Sequence, residues 1–114
     1  MTGRHLVVRT IDRPDPDKVA ALGALGTATV HEAIGRRGFA GPELRPIQQG
    51  TRLAGPAVTV SCHPGDNLMI HAAMAMAKPG DVLVIDGKGD TSCALMGALM
   101  INACKVLGLG GTTT

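Results

Sequence analysis

Aromatic side chains are almost missing from this chain: Phe39 stands alone, with no Trp and no Tyr. Without rings there is no stacking platform for single-stranded nucleic acid. An excess of one charge is missing too. The formal net charge is +2, and the 11 Lys and Arg are scattered rather than bunched. A basic groove for a duplex backbone is therefore excluded. No apolar run approaches the ~20 residues of a membrane-crossing helix. Within Met1 to Thr10 the apolar stretch Leu6-Val7-Val8 is too short for a secretory signal. Three cysteines, Cys62, Cys93 and Cys104, are an odd number in a chain with no export signal, and fit reduced thiols in a reducing compartment. The expectation is a soluble cytoplasmic protein with no nucleic-acid or membrane partner.

Glycine, by contrast, is abundant. Sixteen of 114 residues are Gly, about twice the ~7% average, and they separate periodic segments without forming a repeat. That is the pattern of an α/β protein with short connections. At 11.6 kDa the chain is one domain at most, burying roughly 65% of its unfolded surface.

Asp15-Pro16-Asp17 opens a helix over Lys18 to Leu25, closed by Gly26. Thr29 and Glu32 have capping-box spacing and predict a short helix ended by Gly35 or Gly38. Prolines between Phe39 and Gly50 exclude a long helix there, and Leu44 to Ile47 reads as a short strand. Val58-Thr59-Val60 is the β-branched centre of a strand. Asp66-Asn67 forms a turn and N-cap before a helix from Leu68 to Lys78. Val82-Leu83-Val84-Ile85 predicts a buried strand of a largely parallel sheet. Cys93 to Leu107 is the last helical pattern, with Gly108 as its C-terminal cap. A further strand is due next, yet the chain gives Gly110-Gly111-Thr112-Thr113-Thr114, so the fold reads as interrupted at its C-terminus.

Few side chains are spaced for chemistry. Gly87-Lys88-Gly89 lacks the spacing of a phosphate loop and reads as a plain strand-to-helix connection. Cys62, His63 and His71 match no zinc pattern, and His71 falls in an otherwise apolar helix, where a hydrogen-bonded structural role is expected. Cys93, near a helix start, has no His or Asn close in sequence to make it a nucleophile and reads as small and half-buried. Met69, Met74, Met76, Met96 and Met100 are core fillers. The remaining feature is Gly97-Ala98-Leu99-Met100. Were a helix to start there, its free amides would bind a carboxylate, and Gly97 would leave room for it. On pattern alone Gly97 sits equally well inside one continuous helix.

Three segments together resemble a known family. They are Ala28-Thr29-Val30-His31-Glu32-Ala33 with Gly35; Leu53 to Val60 running on to Pro64-Gly65-Asp66-Asn67-Leu68-Met69-Ile70-His71; and Lys78-Pro79-Gly80-Asp81-Val82-Leu83-Val84-Ile85 followed by Ala94 to Met100. In this order the chain, from about Ile11 to Gly111, is similar to the 4-hydroxy-4-methyl-2-oxoglutarate aldolases. Relatives of that RraA-like family include oxaloacetate decarboxylases and the regulator of ribonuclease activity A. The resemblance implies a three-layer β/β/α swivelling-type domain, here a single incomplete one truncated at its C-terminus, assembled as homotrimers or homohexamers. It implies retro-aldol cleavage to pyruvate, with oxaloacetate decarboxylation as a side activity. Mg²⁺ or another divalent cation would hold the 2-keto acid and stabilise the pyruvate enolate. Gly97, Ala98, Leu99 and Met100 would form the substrate loop, the amides of Leu99 and Met100 facing the carboxylate, with Asp66 and Asn67 beside the pocket.

Two departures qualify the match. Family aldolases carry an acid after the loop glycine, where this chain has Ala98. Their Arg-Asp pair would fall past Thr114. The expectation is therefore that the parent protein is a lyase, while this chain has no catalytic residue or metal ligand of its own, no aldolase activity and only weak Mg²⁺ binding. The alternative is a non-catalytic RraA-like domain that binds other proteins, which Ala98 favours. An unrelated small α/β domain is the third reading.

Overall fold

The computed structural model describes residues 4–113; Met1 to Gly3, the start of the segment read for a signal, lie outside them, as does Thr114. Two helices come first, α1 (Pro16–Ala24) and α2 (Thr27–Ala33). A parallel alternation follows: β1 (Ala57–Ser61), α3 (Leu68–Met76), β2 (Val82–Asp86), α4 (Ala98–Val106) and β3 (Gly111–Thr113). The sheet order is β1-β2-β3, and both pairings are parallel.

Local chemistry accounts for most boundaries. The Asp15 carboxylate accepts from the Asp17 amide at 2.8 Å and Pro16 opens α1, as its sequence predicts. Helix α2 starts three residues earlier than the Thr29 capping box requires. Its cap is Gly26, and no side chain serves it, so that expectation is corrected. Gly35, at φ 74°, ends α2: its amide bonds Glu32 O and the Arg36 amide bonds His31 O. Gly108 closes α4 in the same way, through bonds to Lys105 O and Cys104 O. Leu44 to Ile47 forms no strand; Ile47 is fully exposed, so nothing rewards pairing there.

In register, Val58 faces Leu83 and Val60 faces Ile85. These four meet Ile70, Ala73 and Met74 of α3 and Met100 and Cys104 of α4 in one core on one side of the sheet. The other side is more open. Thr59 is exposed, and so is Val84, which corrects the reading of β2 as buried throughout; period-2 alternation turns Val84 away from the helices.

The strand judged missing after Gly110 is present. The Gly110 amide reaches Asp81 O at 2.8 Å, and Val82 pairs with Gly111 in register. Glycine hid it, because Gly has low strand propensity. Gly111 lies close against the Leu53 side chain: a Cβ there would stand 2.6 Å from Leu53 Cδ1, so that side chain would have to shift. The expectation of a sheet with no strand from Gly111 onward is corrected accordingly.

Candidate functional site

In a parallel sheet the connections that leave the C-terminal ends of the strands gather at one edge, where α/β proteins bind ligands. Here β1 runs into the turn 62–67 and β2 into the loop 87–97. The Cys62 amide bonds Asp86 O at 3.0 Å and ties the two exits together. Gly65 holds φ 74°, and a Cβ on it would lie 3.5 Å from Cys93 Sγ and 3.7 Å from Asp90 Oδ2, so turn and loop touch.

Helix α4 begins at Ala98, five residues later than the Cys93 boundary, and that settles the position of Gly97. It is the N-cap, with extended backbone (φ −109°, ψ 175°), and no side chain caps the helix. The first helical bond runs from the Ile101 amide to Gly97 O at 3.1 Å. The amides of Ala98, Leu99 and Met100 precede it and find no acceptor among the described residues. Nothing lies within 4 Å of where a Gly97 Cβ would stand, so the approach is open. Leu99 is 86% exposed, whereas the Met100 side chain is buried and anchors the turn.

Asn67 joins the two halves of this edge. Its expected capping bond is absent. The Asp66 carboxylate takes that place, accepting from the Leu68 amide at 2.9 Å. Asn67 Nδ2 instead donates to Leu95 O at 3.2 Å and lies 3.6 Å from Met100 Sδ. It thus fixes the segment leading into α4 against the turn after β1. Asn67→Ala is expected to cost about 1 kcal/mol, measured by denaturant unfolding, and to loosen residues 95–100 in hydrogen exchange.

The other candidates do not join the site. Cys62 is buried, and burial pushes its thiol up, with Asp66 and Asp86 adding to the shift. His71 is exposed on α3, and its side chain makes no hydrogen bond among the described residues, which corrects the hydrogen-bonded structural role expected of it. Cys93 is exposed and precedes the helix, which corrects the half-buried reading. The neighbouring carboxylates already have partners. Asp86 accepts from the Lys88 amide and side chain, which hold its carboxyl below the usual range. The Ser92 side chain and amide do the same for Asp90. No group of three His, Cys, Asp or Glu among the described residues could hold a metal ion. The residues present therefore do not fit a divalent-ion site by themselves. Two grooves lie elsewhere, one of about 600 Å³ between residues 4–11 and β1 with α3, the other of about 550 Å³ between α1, α2 and Thr51–Gly55. Neither is lined by residues of the α4 start.

The family model described as Aldolase/RraA, RraA-like, matches residues 27–114. The chain belongs to the RraA-like family. A protein of Halalkalibacterium halodurans named "Putative 4-hydroxy-4-methyl-2-oxoglutarate aldolase" is 43% identical over 68 residues, which are 60% of this chain and 32% of that protein. Proteins of the same name from Burkholderia multivorans and Burkholderia mallei are 43% and 41% identical over 56 residues, which are 49% of this chain and 34% and 33% of theirs. The chain spans about a third of the length of these curated relatives. The RraA-like match begins at residue 27, not near Ile11, and leaves α1 outside it. No described helix is long and apolar enough to cross a membrane.

One structural pair escaped the sequence reading. Asp81 is 1% exposed, and Arg13 Nε and Nη2 fork onto both its oxygens at 2.6–3.1 Å. A separation of 68 residues gives no local signal. The only hint was an acid inside Lys78-Pro79-Gly80-Asp81-Val82, just before an apolar strand.

Proposed function

We propose that this segment is the substrate-carboxylate part of a pyruvate aldolase, cleaving 4-hydroxy-4-methyl-2-oxoglutarate and decarboxylating oxaloacetate in the whole protein. The observation that carries the proposal is the uncapped start of α4 at the C-terminal edge of the sheet, held in place by Asn67. Free amides and the positive end of the helix dipole attract a keto acid's carboxylate. Gly97 lets it approach, and Ala98, Leu99 and Met100 supply the donors, with Asp66 and Asn67 shaping the rim. The divalent ion implied by the family resemblance, Mg²⁺ above all, finds no ligand set among these residues. Their own contribution is binding and orientation of the carboxylate.

In the same reading the whole protein is a cytoplasmic three-layer β/β/α trimer or hexamer. The exposed apolar side chains Leu22, Leu25, Ile34, Phe39 and Ile47 are consistent with contact surface for further chain or subunits.

The purified chain is expected to show no turnover of either substrate at ordinary enzyme rates. A chimera joining residues 27–113 to the remainder of the Halalkalibacterium halodurans relative is expected to release pyruvate from 4-hydroxy-4-methyl-2-oxoglutarate. Rapid turnover by the chain alone, or a folded chimera without activity, contradicts the proposal. The second outcome favours the other reading, a non-catalytic protein-binding domain, for which Ala98 and the lack of any acid in the first turn of α4 speak.

A further inference from the structure

Among the described residues, none before Val58 is buried. The core runs from Val58 to Cys104, and of the N-terminal residues only Ile11 packs partly against it. Helices α1 and α2 contain no fully buried residue. A segment with so little apolar burial gains little from the hydrophobic effect, so its attachment depends on a few specific ties.

The ties can be named. Arg52 Nη1 donates to Ala24 O at 3.2 Å and lies 3.5 Å from Gly23 O, both at the exposed surface. The other is the Arg13–Asp81 pair, two residues before the N-cap of α1. It differs in kind from the exposed bonds: the Arg13 side chain is 21% exposed and that of Asp81 1%. Asp81 is also fixed from the core side by the Lys78 amide at 2.8 Å, at the entrance to β2. A forked ion pair with one partner buried is directional and strong. Removing the Arg leaves a buried carboxylate uncompensated.

We propose that Arg13 and Asp81 form a latch, holding residues 4–25 as a detachable strap on a core that stays folded when the strap lets go. The strap lies outside the residues matched to the RraA-like family, which fits an addition to the core rather than a part of it. Its first residues run beside β1, an edge strand, and share with it the groove floored by Met69, Ala72 and Met76.

The test is limited trypsin digestion of the full chain, wild type against Arg13→Gln, with hydrogen exchange of Val60, Leu83 and Ile85 as the core control. Cleavage after Lys18, inside α1, is expected to accelerate about tenfold or more in the variant. Core exchange should accelerate no more than the lost strap docking requires, and once the strap has been cut after Lys18 the remaining core should stay as protected in the variant as in wild type. Arg13→Lys, which keeps the charge and loses the fork, should fall between the two. Unchanged cleavage after Lys18 overturns the latch. So does loss of core protection once the strap has been cut, or failure of Arg13→Gln to fold, since each makes the pair a support of the whole fold.

Discussion

Asp81→Ala is expected to lower folding stability by about 3 kcal/mol, the low end for breaking a buried ion pair, because Arg13 can turn partly toward water. Four bonds disappear together: three from the Arg13 fork to the two carboxylate oxygens and one from the Lys78 amide. The acid limb of the stability curve carries a second signature. The hydrogen-bonded Arg13 guanidinium holds the Asp81 carboxyl below its ordinary value; burial opposes this, and the Lys78 amide assists. A carboxyl whose folded pKa is depressed releases its proton more readily in the folded state. Its stabilisation is therefore complete above the unfolded value of about 3.9 and is lost as pH falls through the folded pKa. Urea unfolding across this window should show wild type losing stability as pH falls. Asp81→Ala should lose distinctly less, and equal slopes for the two would contradict the assignment.

The other large effect concerns the proposed carboxylate site. Gly97→Asp places a capping carboxylate over the amides that substrate is proposed to use. Extended backbone at this residue suits any side chain, and no atom blocks a Cβ. The variant should gain about 0.5 kcal/mol in stability from the cap and the helix dipole. Pyruvate binding should weaken by about tenfold or more, since the donors are then occupied and a like charge sits beside them. Stability and binding thus move in opposite directions. Chemical denaturation and a pyruvate titration on the same sample check both.

Much of this fold was legible because its signals are local. Asp15 with Pro16 at the start of α1, Gly108 past the end of α4, and the β-branched run in β1 each act within a few residues, and the structure holds them where expected. The parallel sheet followed from the order of these elements. What failed depends on distant partners. Strand β3 and its approach begin with Gly110 and Gly111, whose neighbours Gly80 and Leu53 are far away in sequence. Asn67 has the identity of an N-cap, but its side chain goes to Leu95, 28 residues away. The Arg13–Asp81 pair has no sequence pattern at all. Resemblance alone singled out Gly97 to Met100 as the proposed site, while pattern alone left open whether a helix begins there.

That beginning can be tested directly by titrating the ¹⁵N-labelled chain with pyruvate and following every backbone amide. The largest shifts should fall on Ala98, Leu99 and Met100, should saturate weakly for want of an Arg fork, and should vanish in Gly97→Asp. Shifts centred elsewhere, or a response at these three amides that survives Gly97→Asp, would contradict a carboxylate site at the start of α4.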